Sequence, residues 1–471
     1  MYRLQGQDAA WLYRETLTAP MHTLKVFIVR LGPDQVLDFE RVRQSVPRLL
    51  HEVPVLRQRA VPVPLGLHHP VMIEDPEFDL VYHLNRAAIP SPGGMRELED
   101  VLAHIASHPL DQTRPLWQFG VLEGLADARV VLVQKIHHTL ADGMASVNSM
   151  LRVWQSSYHN PDAEPPRWQP EPIPSNSRLV RDALVDHAKI DVGNVPKFFK
   201  ALYRSVWLLK KETVKENSPN LRSRNHDVPR TAWNRALTAR RSFATAQLDL
   251  AAVKSIKQHL GGTLNDTLLA LTAGAVRNYL AAHNALPEEP LLVTIPVSTD
   301  ERGSTREHGN ATAVMLSNLH VEIADPLQRY RAICEADQVS KSELELIGRD
   351  TFGLMAHYVP PALQKRAANR AFQRQDADAE DFIPDANLSV SNVPGPREKF
   401  SALGNVVEDL YSAGPLIDGM GLNITAWSYV DSLNFTLVGC LKTLPDIRLM
   451  AEGLSAALAE LQQVTRATPE N

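Results

Sequence analysis

Arg129-Val130-Val131-Leu132-Val133-Gln134-Lys135-Ile136-His137-His138-Thr139-Leu140-Ala141-Asp142-Gly143 is the stretch on which the fold turns. Its first eight residues are a strongly apolar run of strand length. The run delivers two adjacent histidines to its end, followed by a short loop to Gly143. Successive strand side chains point to opposite faces, so one histidine faces a given cavity and the other packs or caps. Neighbours so arranged are poorly placed to share one metal ion. No glutamate or third histidine stands at a zinc-type spacing, so no metal is expected. Taken singly the residues say little: a lone histidine is usually structural. Asp142 alone reads as a helix N-cap, because Val147, Leu151 and Trp154 fall on one helical face behind it. Gly143 alone reads as a turn residue. Together, between a buried strand and a helix, HHxxxDG is a strong signal.

On either side the chain mixes strand and helix patterns. Leu24–Leu31 is rich in β-formers, Phe39–Leu50 looks helical, and Val101–Ala106 belongs to a further helix ended near Pro109. Pro161–Pro174 is dense in proline and cannot be a helix interior, so an interdomain connection is expected there. It leads to Pro196–Glu216, a helix with proline in its first turn. Its apolar stripe contains Phe198, Phe199 and Leu202; Lys197, Lys200 and Arg204 form a basic stripe beside it. Such a helix either lies on an anionic membrane surface or packs on a domain with its charges solvated. Thr267–Ala282 and Leu449–Leu461 read as helices. Leu291–Val297, Leu388–Asn392 and Leu433–Val438 read as strands. The resulting division is 1–175, a linker at 176–228, and 229–471.

The bulk numbers narrow the classes. A chain of 471 residues suggests two domains. A net charge of -5 gives no basic field for nucleic acid. Two cysteines, Cys334 and Cys440, fit a reducing compartment rather than a disulfide scaffold. Cys334 reads as a buried helix residue rather than a nucleophile. The N-terminal segment lacks the apolar core of a signal peptide, and no stretch is long enough to span a membrane. A cytoplasmic protein with at most peripheral membrane or lipid-body contact is expected.

The HHxxxDG block resembles that of the coenzyme A-dependent acyltransferases related to chloramphenicol acetyltransferase. More narrowly, the chain is similar to the bacterial wax ester synthase/diacylglycerol acyltransferase family. Arg114-Pro115-Leu116-Trp117 resembles that family's PLW block, Asn265-Asp266 its ND block, and Ser391-Asn392-Val393-Pro394-Gly395-Pro396 its SNVPGP block. Trp11-Leu12 followed by Pro20-Met21-His22 also matches, so the likeness runs over nearly the whole chain in order.

The resemblance implies two α/β domains of chloramphenicol acetyltransferase type, with mixed sheets and an active-site channel between them. It implies transfer of a long-chain acyl group from acyl-coenzyme A, as co-substrate, to diacylglycerol or a long-chain alcohol, with no cofactor. A neutral imidazole suits removal of the acceptor's proton, and the family places that role on His138. His137 and Gly143 would support the loop, and Asp142 would hold it through an arginine. The family's arginine after Pro-Val-Ser is displaced here: Pro296-Val297-Ser298 is followed by Thr299-Asp300-Glu301, which leaves Arg302 or Arg306 for that pair, with Arg302 taken first. Asn265 either lies near the acyl centre, where its amide would hold an oxyanion, or caps the following helix. Asp266 and Asn392 are further supporting residues, the Pro394–Pro396 turn reads as structural, and Trp117 is expected to pack. Two other readings are acylation of another lipid or glycolipid alcohol, and an inactive lipid-surface binding protein; an intact His138 and Asp142 weigh against the second.

Overall fold

The computed structural model describes residues 1–32, 35–143, 145–146, 148–149, 170, 172–189, 196–200, 203, 218–225, 227–301, 304–374 and 382–467. The predicted helical face of Val147, Leu151 and Trp154, most of Pro161–Pro174 and most of Pro196–Glu216 lie outside them.

The strands in chain order are β1 (Tyr2–Arg3), β2 (His22–Arg30), β3 (Gln58–Val61), β4 (Val71–Glu74), β5 (Leu84–Ala88), β6 (Trp117–Leu125), β7 (Arg129–His137), β8 (Arg241–Asp249), β9 (Leu292–Ser298), β10 (Thr312–Asn318), β11 (Leu388–Val393), β12 (Ser401–Ala402), β13 (Asn405–Ala413), β14 (Leu422–Tyr429) and β15 (Ser432–Cys440). They form two six-stranded sheets and a three-stranded one. The first large sheet runs β12-β13-β2-β7-β6-β5 and the second β10-β9-β11-β14-β15-β8. Both are mixed: β5 is parallel to β6, and β11 is parallel to β9 and β14, while the other pairs are antiparallel.

β7 is apolar on both faces because both faces are covered. Val131 and Val133 join one core cluster, and Val130, Leu132 and Ile136 join another. That double burial explains an unbroken apolar run where a half-exposed strand would alternate. β2 lies beside β7 in register, with His22 opposite His137. β13, from late in the chain, pairs along the other edge of β2. The sheet that carries the histidines is thus completed by a hairpin from the second half of the chain.

The second sheet packs its core against two long helices, Leu264–Ala282 and Ile447–Ala467. The first runs thirteen buried residues through its middle, so it is apolar nearly all round. Val393, Trp427 and Tyr429 of the second sheet belong to the same core cluster as Ile136 and Leu140 of the first half. Full burial of such side chains contributes roughly 2 kcal/mol each, and here that energy joins the halves. The helices over Met95–Ser107 and Phe39–Glu52 cover the regions where helical periodicity was predicted. Among the described residues no helix is long and apolar enough to cross a membrane.

Candidate active site

β7 ends at His137, and the chain turns at once. The His138 N–H donates to the Met21 carbonyl at 2.8 Å and the Leu140 N–H to the His137 carbonyl at 3.0 Å. The two rings part at this turn. His137 is fully buried, and its Nδ1 accepts the Thr139 N–H at 3.1 Å. Its proton therefore sits on Nε2, which faces Glu15 Oε2 at 3.4 Å. Burial works to raise the Glu15 pKa, but His137, Gln112 and the Met21 amide together hold it below its ordinary value. His137 is thus a post for the loop, tied to the end of helix α1 (Gly6–Arg14).

His138 turns the other way. Its ring stacks on Trp11 of α1, centroid to centroid 3.9 Å at 19°. Nδ1 lies 2.9 Å from Asn310 Oδ1. Nε2 has no hydrogen-bond partner among the described residues. Desolvation pushes the ring's pKa down to about 4, and the buried ammonium of Lys25 works in the same direction. Lys25 donates to Ser412 Oγ at 2.7 Å and lies over the Trp427 ring at 4.7 Å; burial pushes its own pKa down to about 8. A half-buried imidazole beside a cation stays neutral at physiological pH, the form that accepts a proton.

Asp142 leaves the loop as both cap and anchor. Its Oδ1 accepts the Ala145 N–H at 3.0 Å, capping the helix that opens at Gly143. Its Oδ2 accepts from Arg306 Nη2 at 2.6 Å, the Ala311 N–H at 2.9 Å and Thr312 Oγ1 at 3.2 Å. Of the two arginines left open by the sequence, Arg306 makes this pair; Arg302 itself lies outside the described residues. The reason is local geometry: the Arg306 guanidinium also binds Asp300 through Nε and Nη2 and reaches the His308 carbonyl, which holds its fork towards Asp142. Burial acts to raise the Asp142 pKa, and the Ala145 and Ala311 amides with Arg306 bring it below the ordinary value. The backbone completes the stitch, Asp142 N–H to the Gly309 carbonyl at 3.2 Å and Gly309 N–H to the Leu140 carbonyl at 2.7 Å.

Gly143 is needed for approach. A Cβ there would stand 3.0 Å from Val393 Cγ2 at the end of β11. The strand that carries Ser391-Asn392-Val393 thereby reaches the loop. Asn392 is half-buried, with no side-chain hydrogen bond among the described residues. In the following turn, a Cβ on Gly395 would lie 2.2 Å from the Ser428 carbonyl oxygen, so only glycine fits.

The ND block stands in the first turn of the Leu264–Ala282 helix. Thr263 is the N-cap of the Leu264–Ala282 helix, and Asp266 returns its carboxylate to the Thr263 N–H at 2.7 Å, a capping box. The alternative reading of Asn265 as that cap is therefore corrected: Asn265 is the second helical residue, half-buried, its side chain without a hydrogen bond among the described residues. Trp117 packs. It is 3% exposed, stacks on His83 at 4.5 Å, and donates its Nε1–H to the Leu56 carbonyl at 2.6 Å. Burial pushes the Cys334 thiol up to about 12.

Sequence reading missed Trp11 as the platform of His138, Glu15 as the brace of His137, Lys25, and Asn310. Trp11 and Glu15 sit in a segment read only for its family likeness. Asn310 is separated from His138 by 172 positions, and no local pattern marks it.

Known proteins place this geometry. Residues 4–268 match the model of the wax ester synthase/diacylglycerol acyltransferase catalytic domain, and residues 308–462 match that of the family's C-terminal domain. A putative diacylglycerol O-acyltransferase of Mycobacterium tuberculosis is 38% identical over 466 residues, covering 98% of this chain and 96% of its own. A second from the same organism is 33% identical over 469 residues, with coverage of 99% and 98%. The wax ester synthase/diacylglycerol acyltransferase of Marinobacter aquaeolei VT8 superposes with a TM-score of 0.67 at 26% identity, over 99% of this chain and 100% of that one. The starter condensation domain of rhizomide synthetase, at 14% identity and a TM-score of 0.55, shares the fold. With its histidine loop, its crossed-over hairpin and these matches along its length, the chain belongs to the wax ester synthase/diacylglycerol acyltransferase family.

Proposed function

We propose that the protein is an acyl-coenzyme A-dependent O-acyltransferase that moves a long-chain acyl group onto diacylglycerol or a long-chain alcohol, with His138 as general base. The observation that carries the assignment is the state of the His138 ring. Its Nδ1 is engaged by Asn310 and its face by Trp11, and Nε2 has no hydrogen-bond partner among the described residues. Nε2 takes the acceptor hydroxyl's proton as the oxygen attacks the thioester carbonyl. The carbon–sulfur bond then breaks, and the proton passes to the departing thiolate. Base assistance of this kind is worth roughly 10²–10⁴-fold. With no covalent enzyme intermediate in this scheme, donor and acceptor are bound together.

The test is coenzyme A release from palmitoyl-coenzyme A in the presence of hexadecanol or a diacylglycerol. Acceptor-dependent release that falls by about a hundredfold or more in His138→Ala supports the base. Equal activity of wild type and variant removes it, and release with only one acceptor identifies the substrate.

The same reading extends to a peripheral lipid surface. Residues 196–200 are helical, Phe198 packs on Tyr358 at 5.4 Å, and Phe199 and Tyr203 are 59% and 54% exposed near Lys197 and Lys200. Exposed aromatics flanked by lysines suit an anionic interface. Replacing both aromatics by serine is expected to cut co-sedimentation with anionic phospholipid vesicles several-fold; unchanged sedimentation refutes this surface.

A further inference from the structure

The orientation of Asn310 can be read from its neighbours. Its Nδ2 lies 2.8 Å from Asp8 Oδ1 and 2.8 Å from the His138 carbonyl oxygen, both acceptors. Its backbone N–H also donates to Asp8 Oδ1, at 2.7 Å. A reversed amide would set its oxygen against a carboxylate and a carbonyl, losing two hydrogen bonds to two repulsions. The amide oxygen therefore faces His138 Nδ1, at 2.9 Å. An amide oxygen only accepts, so Nδ1 must carry the imidazole proton, and in the neutral ring Nε2 holds the lone pair.

Asp8 is well placed to enforce this. It is 7% exposed and lies on α1, whose backbone carbonyl at the same residue accepts the Thr139 hydroxyl at 2.8 Å. One turn further along, Trp11 supports the ring face. A single helix therefore fixes the plane of the ring and, through one side chain, its tautomer.

We propose that Asp8 and Asn310 are positioning residues that select the Nδ1–H tautomer of His138, Asp8 by locking the Asn310 amide and Asn310 by accepting the Nδ1 proton. The inference rests on His138 being the base. Neither residue need touch substrate. A base in the wrong tautomer presents N–H to the acceptor hydroxyl and cannot take its proton. The charged and titratable groups around the pair are Arg306, Asp142 and Tyr2 towards Asp8, and Lys25, His137 and Asp142 towards His138.

The experiment compares Asn310→Ala, Asn310→Asp and the double variant Asp8→Asn/Asn310→Asp with wild type and His138→Ala. The readouts are kcat and KM for acyl-coenzyme A, the pH profile, and thermal unfolding. Asn310→Ala is expected to lower kcat by roughly 10²-fold with KM little changed. Asn310→Asp alone sets two carboxylates together and is expected to be weak. In the double variant an amide at position 8 replaces the carboxylate repulsion with a hydrogen bond, while the carboxylate at position 310 still meets the His138 carbonyl, so a partial recovery of kcat over Asn310→Asp is expected. The acid limb of the double variant is expected to move upward by a unit or more, because a carboxylate on Nδ1 favours imidazolium. Recovery with a shifted limb is not a result that restored folding alone delivers. A wild-type kcat and pH profile in folded Asn310→Ala, or a folded double variant no better than Asn310→Asp, overturns the proposal. If His138→Ala is itself fully active, the base assignment is what has failed.

Discussion

Asp142 shows how one carboxylate does two jobs. One oxygen caps a helix and the other receives Arg306, Ala311 and Thr312 from the opposite half of the molecule. Its folded pKa is held below the ordinary 3.8. Its contribution to stability is therefore present above about pH 4 and is lost as pH falls through the folded value. Asp142→Asn leaves Arg306 with Asp300 alone in a site that is largely shielded from solvent. Breaking a buried pair costs about 3 kcal/mol, so the urea midpoint is expected to drop at pH 7 and turnover to fall with it. An unchanged midpoint refutes the anchor. Asp8 has the opposite sign. Burial pushes it up from 3.8 to about 6, so the folded protein holds a proton that the unfolded chain has released. Its contribution favours the native state at low pH and weakens as pH rises between those two values.

Between elements, the decisive contact is the end of β11 against the helix that opens at Gly143. The gap to Val393 leaves no room for a branched side chain. Gly143→Val is expected to push the two apart and lower kcat/KM by at least tenfold, while Gly143→Val combined with Val393→Ala recovers much of it. Failure of the second change to help would mean that the glycine acts elsewhere. This contact also gives the SNVPGP block a physical content. β11 brings Val393 to the loop, and Gly395 lets the turn pass over the Ser428 carbonyl.

Over the whole molecule, the two halves are interleaved rather than docked. β12 and β13 extend the first sheet. Glu99 of the first half accepts the Thr245 N–H and hydroxyl and the Arg448 guanidinium of the second. Unfolding of one half must then expose the core of the other. Urea denaturation followed by tryptophan fluorescence and by circular dichroism is expected to give one coincident transition. Two separated transitions would contradict the interleaving.

The sequence by itself determined the local matters. An apolar run without alternation marked β7 as a buried strand, and the adjacent histidines were expected to diverge, which they do at the turn that follows His137. Asp142 was legible as a cap from the helical pattern behind it. The family's blocks, in order, pointed to the fold and the chemistry. The tertiary structure alone decided which groups meet across long separations. Arg306 reaches Asp142, because Asp300 and the His308 carbonyl direct its fork. Thr263 rather than Asn265 caps its helix, a choice set by which residue first adopts helical backbone. Asn310, Lys25 and Trp11 come to His138 from three separate stretches of the chain. Periodicity and spacing record what a residue does within its own element. They carry no information about partners that hydrogen bonding and close packing bring in from elsewhere in the chain.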